Sequence, residues 1–273
     1  MDKSERVPQE KSSVRQGSAV VGLIVGVFGV GAGLVLDGGN LRQILQPTAA
    51  LIVFGGTLGA VLVQFPFSVV GRALTMLRQV FLGGEDKAAQ LIDELGRYAM
   101  QARKHGLLSL DSALTAIPDT FLRYCLTQAI DGARSEDLRH SIEGLMQAEM
   151  DRDYALPMVF ESAGGFAPTI GILGAVIGLI QVMQHLSNIE EVGKGIAAAF
   201  VATLYGVGSA NLFFLPCAGR MRALVDRRQA MRELALEGVI AILEKNTPRA
   251  VEKRLACFLP EPPAESISQT VLQ

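Results

Sequence analysis

A few polar side chains lie within a long apolar run in the second half of the chain. Thr203, Tyr205 and Asn211 belong to residues 196–215, most of which are apolar, glycine or alanine. A hydroxyl or amide group at membrane depth either hydrogen-bonds a helix backbone or a neighbouring helix, or lines a path for an ion. The residues leave both interpretations open. An ion path would depend first on Thr203, which lies deep in the run.

The apolar runs carry no carboxylate or basic side chain at their centres. Glu161 is near the start of the third run, where it can reach water. Intramembrane acids usually mark proton relays. This chain alone is therefore not a complete proton carrier: either it conducts no ion, or a partner subunit brings the acid.

Two prolines flank the same region, Pro168 near the start of the third apolar run and Pro216 at the end of the fourth. A proline in a membrane helix frees a carbonyl group and kinks the helix, and neighbouring groups repair the damage. The geometric interpretation is a fixed kink. The functional interpretation is a hinge that moves with an ion.

Other kinds of site find little support. The three cysteines and three histidines are scattered and share no metal-ligand spacing, so neither a metal site nor a disulfide framework is predicted. The sequence shows no nucleotide-binding motif and no nucleophile–base pair, so we expect neither a cofactor nor an enzyme. The net charge of −2 gives no reason to expect nucleic-acid binding.

The elements that hold these residues are predicted to be membrane helices. The chain has 273 residues, 49% of them hydrophobic and 19% charged, with a mean hydropathy of +0.33. This balance is typical of a membrane protein with a sizeable aqueous part. We predict an all-α fold with four transmembrane helices, at residues 17–36, 47–65, 158–186 and 196–215.

A helical cytoplasmic domain is predicted between the second and third helices, because its apolar residues recur with helical period. Its helices should break at Gly106, Pro118 and Gly132, and Asp86 should cap the first of them. The predicted boundaries are these: an N-terminal segment at 1–16, helices one and two within 17–65, the cytoplasmic domain at 66–157, helices three and four within 158–217, an amphipathic tail at 218–259 and a disordered end at 260–273.

Lysine and arginine placement predicts the orientation. Four lie in the first sixteen residues, ten in residues 66–157 and nine after Cys217, whereas the two short loops hold one each, Arg42 and Lys194. Positive charge is retained on the cytoplasmic side. We therefore expect both termini and the large polar segment in the cytoplasm.

Three segments resemble one known family. They read ARKHGLLSLD at 102–111, APTIGILGAVIGLIQVM at 167–183 and AFVATLYGVGSANLFFLP at 199–216. They are similar to segments of the MotA/PomA family, the larger subunit of the bacterial flagellar stator, and within it to the MotC-type branch. The likeness spans roughly residues 17–250.

The resemblance implies a multi-pass protein of the bacterial inner membrane that forms a homopentamer, in contact with membrane lipids, around a MotB-type partner. That single-helix partner would contribute the ion-binding aspartate. Ion flow would drive rotation of the ring, and the cytoplasmic domain would push on the rotor protein FliG.

Residue by residue, the resemblance assigns Thr203 as the threonine that faces the partner's aspartate, and Pro168 and Pro216 as the motif prolines of the ion pathway. Arg103 matches the rotor-facing arginine. Asp111 stands where the family often has glutamate, so the charge is kept on a shorter side chain.

One position bears on the coupling ion. Sodium-driven members of the family have threonine in the third-helix segment where this chain has Ala175. Sodium is a hard cation that prefers oxygen ligands, and neither Ala175 nor Ala202 supplies one from its side chain. We therefore predict proton coupling.

Two alternatives stay open on the residues alone. One is a proton-driven energiser of the ExbB/TolQ type, although those chains have one helix, not two, before the large cytoplasmic segment. The other is a membrane scaffold without an ion path, in which Thr203 would be replaceable by valine.

Overall fold

The computed structural model describes residues 14–36, 38, 44–82 and 88–259, and these form helices joined by short turns, with no strand among them. The predictions for residues 1–13, for a cap at Asp86 and for the tail at 260–273 fall outside this range. An all-helical fold is confirmed for the described residues.

Nine helices are described. They are α1 (Val14–Leu36), α2 (Pro47–Gln64), α3 (Phe67–Leu82), α4 (Ala88–His105), α5 (Asp111–Leu114), α6 (Thr120–Ile130), α7 (Ser135–Gln184), α8 (Ile189–Leu243) and α9 (Pro248–Leu255). Two of them contain a π-helical turn, Leu51–Gly55 in α2 and Ala210–Phe214 in α8.

Three of these helices, α2, α7 and α8, are long and apolar enough to cross a membrane. The described apolar part of α1, Val20–Leu36, is shorter. Large apolar side chains such as Phe28 in α1, Val63 in α2 and Phe200 in α8 are exposed on the single chain. Such a surface suits lipid or other protein helices and not water.

The third and fourth apolar helices differ from the sequence prediction at their ends. The third was predicted to begin at Met158, but α7 begins at Ser135 and continues through Pro157 and Pro168. The fourth was predicted at 196–215 after a polar break, but α8 begins at Ile189, where the Asn188 side chain accepts a hydrogen bond from the Glu190 amide. A proline removes one backbone hydrogen bond, and these long helices continue despite that loss.

The chain divides into two compact units. Unit one contains Met1–Gly84 and Tyr154–Ala223, and unit two contains Glu85–Asp153 and Leu224–Gln273. Unit two has a conventional apolar core. Its largest fully buried side chains are Leu95, Leu110, Leu122, Leu126, Leu138, Ile142, Leu234, Ile240 and Leu255.

The predicted helix breaks of unit two are confirmed. Gly106 and Gly132 have φ of +82° and +93°, a left-handed conformation that glycine adopts at little cost. Pro118 lies in the non-helical link before α6, where the Asp119 side chain accepts hydrogen bonds from the amides of Phe121 and Leu122. These turns fix the ends of the helices that carry Arg103 and Asp111.

Candidate functional site

Helices α7 and α8 pack against each other in unit one through small residues. A Cβ atom added at Gly171 would lie 2.9 Å from the Ala202 carbonyl oxygen, and one added at Gly178 would lie 3.0 Å from the Gly195 carbonyl oxygen. A Cβ atom added at Gly174 would lie 2.9 Å from the Ala202 methyl group. Since no side chain separates them, the two backbones are in direct contact, as in other membrane helix pairs rich in small residues.

Thr203 lies at this seam. Its Cα atom would be 3.4 Å from a Cβ atom added at Gly171, and its side chain is half-buried. The hydroxyl donates a hydrogen bond to the Ala199 carbonyl oxygen at 3.3 Å. This weak backbone bond satisfies the hydroxyl in the single chain, and the oxygen retains a lone pair for another donor.

Pro168 and Ala175 lie on α7 on either side of Gly171, at spacings of three and four residues that put all three on one helix face. Both side chains are half-buried. The seam therefore brings three of the four predicted ion-pathway residues, Pro168, Ala175 and Thr203, to one helix pair.

Pro216 lies elsewhere. It follows the predicted membrane run 196–215, and α8 continues past it to Leu243, into the segment predicted as an amphipathic tail. It lies two residues after the π-helical turn Ala210–Phe214 and lines a groove together with residues of α1 and α3. A π turn gives the backbone a local way to accommodate a proline that cannot donate its hydrogen bond.

Both helices of the pair present apolar side chains that the single chain leaves uncovered. On α7 these include Leu173, Val176 and Ile180, and on α8 Phe200 and Leu204. Thr203 is next to Leu204 on that partly open side. The surface needs a cover of lipid, further copies or a partner helix.

The predicted rotor-facing residues belong to unit two. Arg103 is in the last turn of α4 and Asp111 is the first residue of α5, and both are exposed. The Gln101 side chain donates a hydrogen bond to the Ser109 carbonyl oxygen at 2.8 Å, across the turn at Gly106. The basic end of α4 and the acidic start of α5 therefore lie on either side of one turn, which this hydrogen bond braces; we call it the braced turn.

Among the described residues, no group of three or more His, Cys, Asp or Glu side chains could hold a metal ion.

Comparison with known proteins gives the family. The family model "Motility protein A N-terminal" matches residues 20–106, and the model of the MotA/TolQ/ExbB proton channel family matches residues 113–234. Motility protein A of Bacillus subtilis is 34% identical over 244 residues, which are 89% of this chain and 90% of that protein. The chain belongs to the motility protein A family.

Two solved structures are similar to this member of the motility protein A family. The flagellar MotAB stator complex of Bacillus subtilis matches with a TM-score of 0.82 at 32% identity, over 93% of this chain and 98% of that one. The MotAB structure of C. jejuni matches with a TM-score of 0.85 at 27% identity, over 91% and 97%. The family resemblance noted in the sequence is therefore confirmed, as is an all-helical membrane protein.

Sequence reasoning left one residue of this motility protein A fold without a specific role. The Tyr205 hydroxyl donates a hydrogen bond to the Ile44 carbonyl oxygen and accepts one from the Gln46 amide. Its ring lies 5.9 Å from that of Phe54. Tyr205 thus fastens the start of α2 to α8. No pattern in the sequence could reveal a partner 161 residues away.

An ion-pair network in unit two was also missed. Glu237 of α8 pairs with Arg139 of α7 and with Arg254 of α9, and Arg254 also reaches Glu244 at 2.9 Å. Burial by itself raises the pKa of the Glu237 carboxyl, but the hydrogen bonds and charges of Arg139 and Arg254 together hold it below its usual value. The same carboxylate raises the pKa of Arg139 through its hydrogen bond.

Proposed function

We propose that this chain is the ring-forming subunit of a flagellar stator, in which several copies surround a MotB-type partner and use ion flow to turn the rotor. The observation that carries the proposal is the α7–α8 pair: a backbone-to-backbone seam with Thr203 at its edge, uncovered apolar faces and no ionisable group in the seam. A helix pair without an ionisable group needs an acid from another chain before it can conduct protons.

The proposed assembly follows from the uncovered surface. The two similar structures are of MotAB, one of them as a flagellar stator complex. In this chain the exposed apolar residues of α7 and α8 would be covered by neighbouring copies, five in a closed ring, and by the partner's helix. Head-to-tail contacts between identical chains form a closed ring when the rotation between neighbours closes.

The proposed topology places α1, α2 and the apolar parts of α7 and α8 across the bacterial inner membrane, with both termini and unit two in the cytoplasm. The apolar lengths of three of these helices support it. The excess of lysine and arginine in the long polar segments sets the direction. Lipids would cover the outer face of the ring.

In the proposed ion path, Thr203 lies opposite the partner's aspartate. Its hydroxyl can donate a hydrogen bond to that carboxyl group or accept one from it. Because the backbones of α7 and α8 touch, the pair would move as one body when the aspartate changes charge. Pro168 and Pro216 would shape that movement.

Replacing Thr203 tests this proposal. Thr203→Val should abolish motility and proton flux, whereas Thr203→Ser should keep a measurable fraction of both, because serine retains the hydroxyl. The lost bond is long, so the folded protein should lose at most about 1 kcal/mol. Thr57→Val is the matched control, since the Thr57 hydroxyl makes the same kind of bond, to the Val53 carbonyl oxygen. Full motility in Thr203→Val cells would support a scaffold instead.

Proton coupling rests on Ala175 and Ala202, whose methyl groups offer no oxygen to a sodium ion. Swimming speed should follow the proton motive force and stay constant when external sodium is replaced by potassium. Ala175→Thr adds a side-chain oxygen at this position. It tests whether that oxygen alone is enough to make swimming speed depend on external sodium. Wild-type motility that persists under a proton uncoupler and tracks sodium would overturn proton coupling.

Contact with the rotor protein FliG is proposed through Arg103 and Asp111, which are exposed on either side of the braced turn. Arg103→Glu should lower torque without lowering membrane insertion, and a reversed charge on FliG should restore part of it. Arg134→Glu, at an exposed position outside that turn, is the control. Equal torque loss in both variants would argue against a specific contact at Arg103.

The ExbB/TolQ alternative shares the proton-channel family model. The separate match of residues 20–106 to the motility protein A N-terminal model favours the stator.

A further inference from the structure

A groove in unit one lies between α1, α3 and the part of α8 that includes and follows its π turn. It has a volume of about 330 Å³, within the roughly 300–1,000 Å³ of ligand pockets. Most of its wall is apolar, formed by Leu23, Val80, Phe81, Leu212, Pro216 and Cys217. The seam at Thr203 contributes none of these residues, and Pro216 is the one lining residue that the proposed ion path also involves.

The shape of the groove depends on two glycines of α1. A Cβ atom added at Gly26 would meet the Leu212 side chain at 3.1 Å, so α1 and α8 touch there. One turn earlier, a Cβ atom added at Gly22 would meet nothing within 4 Å, although Gly22 lines the groove. The groove therefore opens where Gly22 leaves room for an additional chain of atoms.

Two polar residues complete the lining, Asn211 and Arg220. The Asn211 amide nitrogen donates to the Val207 carbonyl oxygen at 2.9 Å. Arg220 brings a permanent positive charge on a half-buried side chain. A guanidinium group has five N–H donors, so it can bind an oxyanion while it keeps a contact within the protein.

An apolar channel with a guanidinium at its edge is complementary to a molecule that joins a hydrocarbon chain to an anionic phosphate. Basic pockets between membrane helices are suited to acidic lipid headgroups. We propose that this groove binds an anionic phospholipid, with one acyl chain against Gly22 and the headgroup phosphate on Arg220. The proposal depends on the membrane location of α1 and α8 and not on ion coupling or on the rotor contact.

Native mass spectrometry of the complete complex, released from vesicles of equal parts phosphatidylglycerol and phosphatidylethanolamine, tests the site. The wild type should retain phosphatidylglycerol in preference to phosphatidylethanolamine. Arg220→Gln should lower that preference about tenfold, the effect of losing one charge-assisted hydrogen-bonded contact. Gly22→Leu should lower the retention of both lipids, because leucine fills the groove.

Matched controls separate the site from general effects. Gly29→Leu changes an open glycine of the same helix that does not line the groove, and Arg78→Gln removes an exposed charge from α3 outside the lining. Both should retain lipid as the wild type does. Leucine favours helix over glycine, so neither glycine variant should unfold α1, and the mass of the assembly in the same spectra verifies this.

Three results would overturn the proposal. Unchanged lipid retention in Gly22→Leu would mean that the acyl chain lies elsewhere. Displacement of the bound species by inorganic phosphate would indicate a free-phosphate site. A wild-type complex without retained lipid would indicate that a neighbouring copy fills the groove. Because the readout is bound lipid, a failed lipid site leaves the stator function untouched.

Discussion

Gly206 of α8 lies against the backbone of Ala167 in α7, so that a Cβ atom added at Gly206 would stand 2.5 Å from the Ala167 carbonyl oxygen. A backbone oxygen cannot swing away as the end of a side chain can. The only relief is to separate the helices, which would break the seam that continues through Gly171 to Gly178.

Gly206→Ala should therefore destabilise the protein by roughly 1–3 kcal/mol, the usual cost of overpacking, and reduce motility. Thermal unfolding of the purified protein in detergent measures the first effect, and swimming speed the second. Gly208→Ala is the control, because a Cβ atom there would meet nothing within 4 Å. Equal stability of the two variants would show that α7 and α8 can move apart at Gly206 without a measurable loss of stability.

Tyr205→Phe should loosen the start of α2 while the rest of the chain stays folded. The change removes both hydrogen bonds of the hydroxyl, to Ile44 and from Gln46, and keeps the ring beside Phe54. Amide hydrogen exchange at residues 44–50 should accelerate severalfold, as about 1 kcal/mol of local stability is lost. In Tyr124→Phe, which alters an exposed tyrosine of unit two, exchange at these residues should stay at the wild-type rate.

Glu237 should make unit two sensitive to acid. Its pKa is lowered in the folded protein, so its stabilising contribution is complete above the unfolded-state pKa, near about 4.3, and is lost as the pH falls through the folded-state value. Glu237→Gln should thus reduce the melting temperature at neutral pH and flatten its decline in acid. Glu143→Gln is the control, since Glu143 is more exposed and lies 3.6 Å from Arg139. If the melting temperatures of the wild type and Glu237→Gln fell in parallel as the pH is lowered, the acid sensitivity would not come from Glu237.

The three cysteines should differ in reactivity towards a maleimide. Burial raises the pKa of the Cys125 thiol to about 12, and Cys217 is buried as well, whereas Cys257 is exposed. Thiolates are the reacting species, so the native protein should label once near pH 8 and fully only after denaturation. Cys257→Ser should abolish native labelling. A second label on the folded protein would mean that one of the buried thiols becomes accessible.

The sequence predicted what depends on local pattern. Apolar runs predicted the helices, and glycines predicted the breaks at Gly106 and Gly132, because a left-handed turn needs that residue. By contrast, the helix that passes Pro157 could not be predicted, since the local rule for proline favours an end, and only the surrounding fold decides whether the lost hydrogen bond is tolerated.

The candidate site shows the same division. Its residue types were recognised from their setting and from the family resemblance, but the geometry needed three dimensions. Tyr205 joins Ile44 across 161 residues, and Glu237 meets arginines of two other helices. Such partners are brought together by the packing of helices whose order along the chain gives no hint of them.

The π-helical turn at Ala210–Phe214 changes the direction in which the side chains that follow it in α8 point. Relative to an uninterrupted α-helix it accommodates an extra residue, and each residue of an α-helix turns the chain by about 100°. Deleting one residue there would straighten the turn and rotate the side chains that directly follow it in α8 by that angle, so that Arg220 would leave its groove. Insertions and deletions in this short stretch should consequently be far less tolerated than substitutions.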